Sequence, residues 1–270
     1  VLAGLPDDGL MYEMGRQIAR DMRSMKIDVN FAPVVDVNLH PDVNTIKDRS
    51  FGPDKNLVAD YGSAVMRGMQ DGGVVACAKH FPGHGDTEVD SHKALPVLKF
   101  PKERLDSVEL YPFRRLIKDG VEMVMVGHLL VPVLDTLPAS VSKVVVTDLL
   151  RKKMKFRGLI ITDALGMEGV LEPFGGSGAK ATLAAYKAGV DILLMPDNVS
   201  ESIDLIVDYI GDDRRKLKDL DARVSRVLAL KGKCGKLTRR DDLSVDPAAV
   251  DTKGTDALIT TIEETLAAGR

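Results

Sequence analysis

Five short apolar runs separated by helical patterns limit what this chain can fold into more than any other feature of it. The runs lie at residues 29–37, 74–78, 122–128, 158–163 and 191–195. Around them, apolar residues recur at helical spacing over residues 10–25, 56–70, 102–118, 145–156, 179–188, 202–210 and 220–230, as Leu10, Met14, Ile18 and Met22 do in the first of these. The runs are largely apolar and do not alternate with polar residues, which marks strands buried on both faces. Such strands in alternation with helices predict a parallel sheet covered on both sides, either open and doubly wound or closed into a barrel.

The polar residues that end the runs favour the barrel. Asp36 with Asn38, Lys79 with His80, Gly127 with His128, Asp163, and Pro196 with Asp197 all fall at C-terminal strand ends. A (β/α)8 barrel builds its active site on that face, whereas an open sheet gathers its ligand groups at one switch point. The expected fold class is therefore α/β, a (β/α)8 TIM barrel. Five strands are visible where a barrel takes eight, so the N-terminal strands are expected upstream of Val1, and the chain, which has no initiator Met, reads as cut from a longer one. Residues 1–235 are expected to supply the C-terminal five β/α units of the barrel, and residues 236–270 a linker and terminal helix, with room for a further domain beyond.

Charge and cysteine usage exclude several classes. Lys and Arg number 37 against 40 Asp and Glu, a net charge of -3, so there is no basic field for nucleic acid. Cys77 and Cys234 form neither a disulfide framework nor a metal-ligand spacing. No apolar run reaches the length of a membrane span, and the first residues lack the charged and apolar regions of a signal peptide. Residues 175–178, Gly-Gly-Ser-Gly, lack the lysine and spacing of a phosphate loop and read as a linker or lid.

Residues 79–92 hold three of the chain's five histidines, with Asp86, Glu88 and Asp90 among them, directly after the second strand. His80 and His84 have the spacing of a metal pair only on a helix, and Pro82, Gly83 and Gly85 rule a helix out. Asp90 and His92 point the same way in an extended loop. A carboxylate there holds one imidazole nitrogen and leaves the other to exchange protons with a substrate, or the pair simply ties the loop together. Asp163 at a strand end has the same two readings, a chemical group or a cap for the next turn.

Residues 79–87, Lys-His-Phe-Pro-Gly-His-Gly-Asp-Thr, followed by Asp90-Ser91-His92 and Pro96, resemble the signature of family-3 glycoside hydrolases, in particular the bacterial β-N-acetylglucosaminidases. In the same order, Phe31-Ala32-Pro33-Val34-Val35-Asp36-Val37, Arg49-Ser50-Phe51-Gly52, Val124-Met125-Val126-Gly127-His128 and Thr162-Asp163-Ala164-Leu165-Gly166-Met167 extend the resemblance over roughly residues 8–232. The resemblance implies Asp163 as nucleophile and His92 as general acid/base, with Asp90 as its partner. It implies that Arg49, Lys79 and His80 hold hydroxyls of the terminal sugar, and it puts His128 on the same face, as a further substrate-binding residue or as one standing behind them. Asp36 matches a motif residue and is expected to organise a loop.

The reaction implied is retaining, exo-acting removal of GlcNAc from peptidoglycan-derived muropeptides or chitin-type oligosaccharides through a covalent glycosyl-aspartate intermediate, with no metal or other cofactor. A phosphorylase on the same scaffold and a non-catalytic sugar-binding fragment are the alternatives. The family's first strands, with a Gly-Gly-Arg segment and an acidic residue for the sugar's outer hydroxyls, have no counterpart in this chain. The compartment, bacterial cytoplasm or periplasm, stays open.

Overall fold

The computed structural model describes residues 8–40, 46–86, 95–235 and 251–268. Helix α1 (Gly9–Ser24) leads into β1 (Val29–Asn30), and α2 (Lys55–Asp71) into β2 (Val75–Phe81). The two helices cross where Gly15 meets Gly68. A methyl group on Gly68 would stand 2.2 Å from the Tyr12 carbonyl oxygen, and one on Gly15 2.3 Å from that of Val65. Only glycine allows backbones so close. Gly68→Ala is expected to force the helices apart at a cost of about 1–3 kcal/mol, the scale of overpacking. A lowered urea midpoint checks this, and an unchanged one would show slack at the crossing.

The helix expected over residues 102–118 is two helices, α3 (Lys102–Ser107) and α4 (Leu110–Lys118). Pro112 explains the break, because it has no N–H for the Val108 carbonyl four residues back and its ring crowds that group. Next come β3 (Met123–Val126), a π-helix (Val144–Lys153) and β4 (Leu159–Thr162). Then α5 (Glu168–Leu171) and a 3-10 turn (Glu172–Phe174) precede α6 (Gly178–Ala188), which begins on the last glycine of residues 175–178. Helices α7 (Val199–Ile210), α8 (Arg214–Lys233) and α9 (Thr252–Ala268) follow.

The strands lie in the order β1-β2-β3-β4, every pair parallel. Residues 191–195, expected as a fifth strand, join β4 by a single parallel bridge between Ile161 and Ile192. Side chains stand where ladder partners would be: the Asp191 carboxylate accepts the Ile160 N–H at 2.8 Å, and the Thr162 hydroxyl accepts the Leu194 N–H at 3.0 Å. Neighbours in the sheet are neighbours in the chain, with no reversal. That is the winding of a TIM-type barrel and not of a doubly wound sheet.

Both faces of this arc are buried, as the uninterrupted apolar runs require. Ala76, Ala78, Val124, Val126 and Ile160 join the large core under the helices. On the other face Val75, Cys77, Met123, Met125, Leu159 and Ile161 form a second cluster against Val227 and Leu230 of α8. Arg223 anchors α8 through the carbonyls of Tyr186 and Val190, at 2.8 and 2.7 Å. Asp191 receives both Arg226 of the same helix and Arg151. Helix α9 returns to α1, where the Thr255 hydroxyl donates to Asp21 at 2.8 Å. Among the described residues no helix is long and apolar enough to cross a membrane.

Candidate active site

The C-terminal strand ends gather Asp36, Lys79, His80, His128 and Asp163 along one edge of the sheet. The ladder sets their level. The Val35 N–H donates to the Lys79 carbonyl at 2.8 Å, Gly127 to Phe81 at 2.9 Å, and Asp163 to Val126 at 2.9 Å.

Asp36 is fully buried in this edge. Its Oδ1 accepts the backbone N–H groups of His80 at 3.0 Å and His84 at 2.8 Å, and its Oδ2 lies 2.8 Å from His80 Nδ1. Burial alone would push this carboxyl up, but the charge and hydrogen bond of His80, with His84 close by, hold it below the usual carboxylate range. The rings of His80 and His84 meet edge to face at 5.7 Å. Burial lowers the His84 imidazole against the opposing charge of Asp36, which keeps it neutral near pH 7. The two histidines are thus arranged around a carboxylate, and His80 Nε2 has no hydrogen bond among the described residues.

The loop after β2 is held from the side. Gly83 has φ +131°, and a methyl group there would lie 2.7 Å from Glu109 Cβ. Arg104 lies 2.9 Å from both Asp86 and Glu109, and His40 Nε2 is 3.1 Å from Asp86. Burial pushes the Glu109 carboxyl up, with Arg104 acting against it.

Arg49 closes a 3-10 turn, Lys47–Arg49. The segment behind it is stitched to the strand end: the Ser50 hydroxyl donates to the Asp36 carbonyl at 2.6 Å, and the Asn38 N–H to the Gly52 carbonyl at 3.0 Å. Burial lowers the half-buried Lys79 ammonium, the Arg49 charge lowers it further, and Asp163 opposes both. Lys79 therefore sits in the fields of a cation and an anion at once. Asp163 is half-buried, and its Oδ1 accepts the Ala164 N–H at 2.8 Å.

His128, expected on the same face, stands on that edge of the sheet, but its side chain is buried in the interior. It is 1% exposed, with Nδ1 2.7 Å from the Ser140 hydroxyl and Nε2 2.8 Å from the Ala164 carbonyl oxygen. Both nitrogens are taken, so no donor or acceptor remains for a sugar, and the expected substrate contact becomes a contact with the residue next to Asp163. Asp90 and His92 lie outside the described residues.

Residues 1–230 match the family model described as the glycosyl hydrolase family 3 N-terminal domain. The chain belongs to this family. It is 33% identical over 255 residues to a β-hexosaminidase A of Pseudoalteromonas piscicida, covering 86% of this chain and 42% of that protein. A β-hexosaminidase of Methylobacillus flagellatus is 36% identical over 71% of this chain and 55% of its own length. The family-3 β-N-acetylglucosaminidase of Paenibacillus sp. str. FPU-7 superposes with a TM-score of 0.88 at 36% identity, over 98% of this chain and 51% of that one. The chain thus spans about half the length of the curated relatives it matches.

In this family-3 barrel, sequence reasoning did not single out Ser140, Arg104 or Glu109. Ser140 carries no local signal, since only the fold brings it to His128. Arg104 and Glu109 lie inside what reads as one helix, and only Pro112, by breaking it, gives a hint. Cys77 is buried, which pushes its thiol up and leaves it unreactive.

Proposed function

We propose that this chain supplies the C-terminal part of the catalytic barrel of a retaining, exo-acting β-N-acetylglucosaminidase that releases terminal GlcNAc from muropeptides or chitin-type oligosaccharides. The observation that carries this reading is that Lys79, near the end of β2 in a family-3 chain, feels the charges both of Asp163, just after β4, and of Arg49, on the 3-10 turn. The names of its relatives, β-hexosaminidase and β-N-acetylglucosaminidase, support the substrate class. In this reading residues 1–235 supply the C-terminal five β/α units of the barrel, and residues 236–270 a linker and terminal helix.

Asp163 is the nucleophile. Its Oδ1 is occupied by the Ala164 N–H, which leaves Oδ2 for the anomeric carbon. Lys79, with no ion pair to a described residue, joins Arg49 and His80 Nε2 in binding the hydroxyls of the sugar. His92 gives a proton to the leaving oxygen while Asp163 forms the bond to C1. It then takes a proton from water as that water displaces Asp163, so two inversions leave the configuration retained. Asp90, two residues away, orients the ring. An imidazole titrating at about 6.5 serves both steps near neutrality, and as a base it is neutral and does not repel Asp163.

Proton NMR during cleavage of an aryl β-GlcNAc glycoside tests the stereochemistry. The β-anomer of free GlcNAc is expected first. The α-anomer first, or cleavage inside a chito-oligosaccharide, would overturn the reading.

A further inference from the structure

The mechanism leaves unused a buried polar chain that ends on the candidate nucleophile's own turn. Ser140, in the 3-10 turn Ala139–Val141, is fully buried, and its hydroxyl lies 2.7 Å from His128 Nδ1. A carbonyl oxygen can only accept, so His128 Nε2 carries the proton that reaches Ala164, and Nδ1 accepts from the Ser140 hydroxyl. Burial lowers the affinity of this imidazole for a second proton, although the bond to Ala164 and the charge of Asp163 oppose that, and the ring stays in this neutral tautomer.

Ala164 is held at both of its polar groups: its carbonyl accepts from His128 Nε2 at 2.8 Å and, at the longer distance of 3.2 Å, from the Met167 N–H, and its own N–H donates to Asp163 Oδ1. On either side, the Asp163 N–H is fixed to Val126 and the Leu165 N–H to Leu194, each at 2.9 Å. The His128 link is the one member of this set made by a side chain from outside the turn. Without it the Ala164 carbonyl keeps only the longer bond from Met167, and Ala164, whose own N–H fixes the rotation of the carboxylate, is held less firmly.

We propose that Ser140 and His128 are positioning residues that aim the Asp163 carboxylate by clamping Ala164. The proposal rests on the reading of Asp163 as nucleophile. It differs from a role in sugar binding, which would act on substrate affinity, and from plain core packing, which would act on stability alone.

Four proteins decide it: the wild-type full chain, His128→Leu, His128→Gln and Ser140→Ala. Each is assayed for kcat and KM on an aryl β-GlcNAc glycoside, for the rate of labelling by a 2-fluoro sugar, and for thermal midpoint. His128→Leu and Ser140→Ala are expected to lower kcat and the labelling rate by about 10–100-fold, the scale of a displaced reacting group, with KM within about twofold. His128→Gln places an amide N–H near the position of Nε2 and is expected to recover most of the loss. Unchanged labelling in His128→Leu, a rise in KM alone, or a fall in thermal midpoint with unchanged kcat would each overturn the proposal. If His128→Leu fails to fold, Ser140→Ala, which removes one oxygen atom, decides by the same readouts. Failure of the nucleophile reading shows separately, as a wild-type chain that takes no label at Asp163.

Discussion

An Asp163→Asn variant is expected to lose activity on the order of 10⁴-fold or more in kcat, the scale on which an enzyme depends on its covalent nucleophile. The substitution isolates the chemistry. An asparagine carbonyl oxygen still accepts the Ala164 N–H that Asp163 Oδ1 accepts at 2.8 Å, so the turn keeps its shape. The amide nitrogen that replaces Oδ2 has no lone pair to offer C1. Unfolding stability is therefore expected to stay within about 0.5 kcal/mol of wild type, as for a substitution that breaks no buried network. Mass spectrometry after exposure to a 2-fluoro sugar should find the label on the peptide holding Asp163 in the wild type and nowhere in the variant. Label on another carboxylate, or a variant that keeps a tenth of wild-type activity, would remove Asp163 from the role.

Asp36→Ala is expected to do the opposite, damaging the fold first and activity as a consequence. The carboxylate is fully buried and joins two backbone N–H groups and the His80 ring. Deleting it leaves all three without their partner in the interior, a loss of about 3–5 kcal/mol by analogy with breaking a buried pair. For a chain of this size that corresponds to a thermal midpoint lower by roughly 6–15 °C. Asp36→Asn keeps one oxygen for the two amides and is expected to lose less. An Asp36→Ala protein with an unchanged midpoint and only a raised KM would make this residue a sugar ligand instead.

The same groups set the pH dependence of stability. Asp36 is held below the ordinary carboxylate range, so its contribution is complete above its unfolded value of about 4 and is lost as pH falls through the folded value. His84 and His128 are lowered by burial, so their neutral forms contribute fully above about 6.5, and that contribution shrinks as pH drops below it. Urea unfolding from pH 8 to pH 3 is expected to show a plateau, a first decline below about 6.5 and a second below about 4. Asp36→Ala should shrink the second step, leaving the smaller share carried by carboxylates such as Asp119. A wild-type curve that rises on acidification would contradict the assignment.

Much of the site was legible because its residues sit where an apolar run stops. Lys79 and His80 lie near the end of β2 and Asp163 directly follows β4, and the strands carry them to the edge without further help. His128 follows the same rule and illustrates its limit. A strand end decides the level of a residue but not which neighbour its side chain turns toward, and here it turns to Ser140 and Ala164. The fifth strand was misjudged for a related reason. Ile192, Leu193 and Leu194 have strand composition, but Asp191 and Thr162 supply side-chain partners that replace the regular ladder.

The sequence by itself determined the alternation of buried strands and helices, the polar strand ends, and a motif from Lys79 to Thr87 specific enough to indicate the family. These are local properties, carried by periodicity and by glycine and proline in fixed places. Only the tertiary structure decided that the strands run in chain order without reversal, that Asp36 binds His80 and His84 across 44 and 48 residues of chain, and that both nitrogens of His128 are taken by Ser140 and Ala164. Strand order and the partners of buried polar groups depend on which surfaces meet after collapse. No periodicity records that meeting, because each partner's own segment looks the same whether or not the other is present.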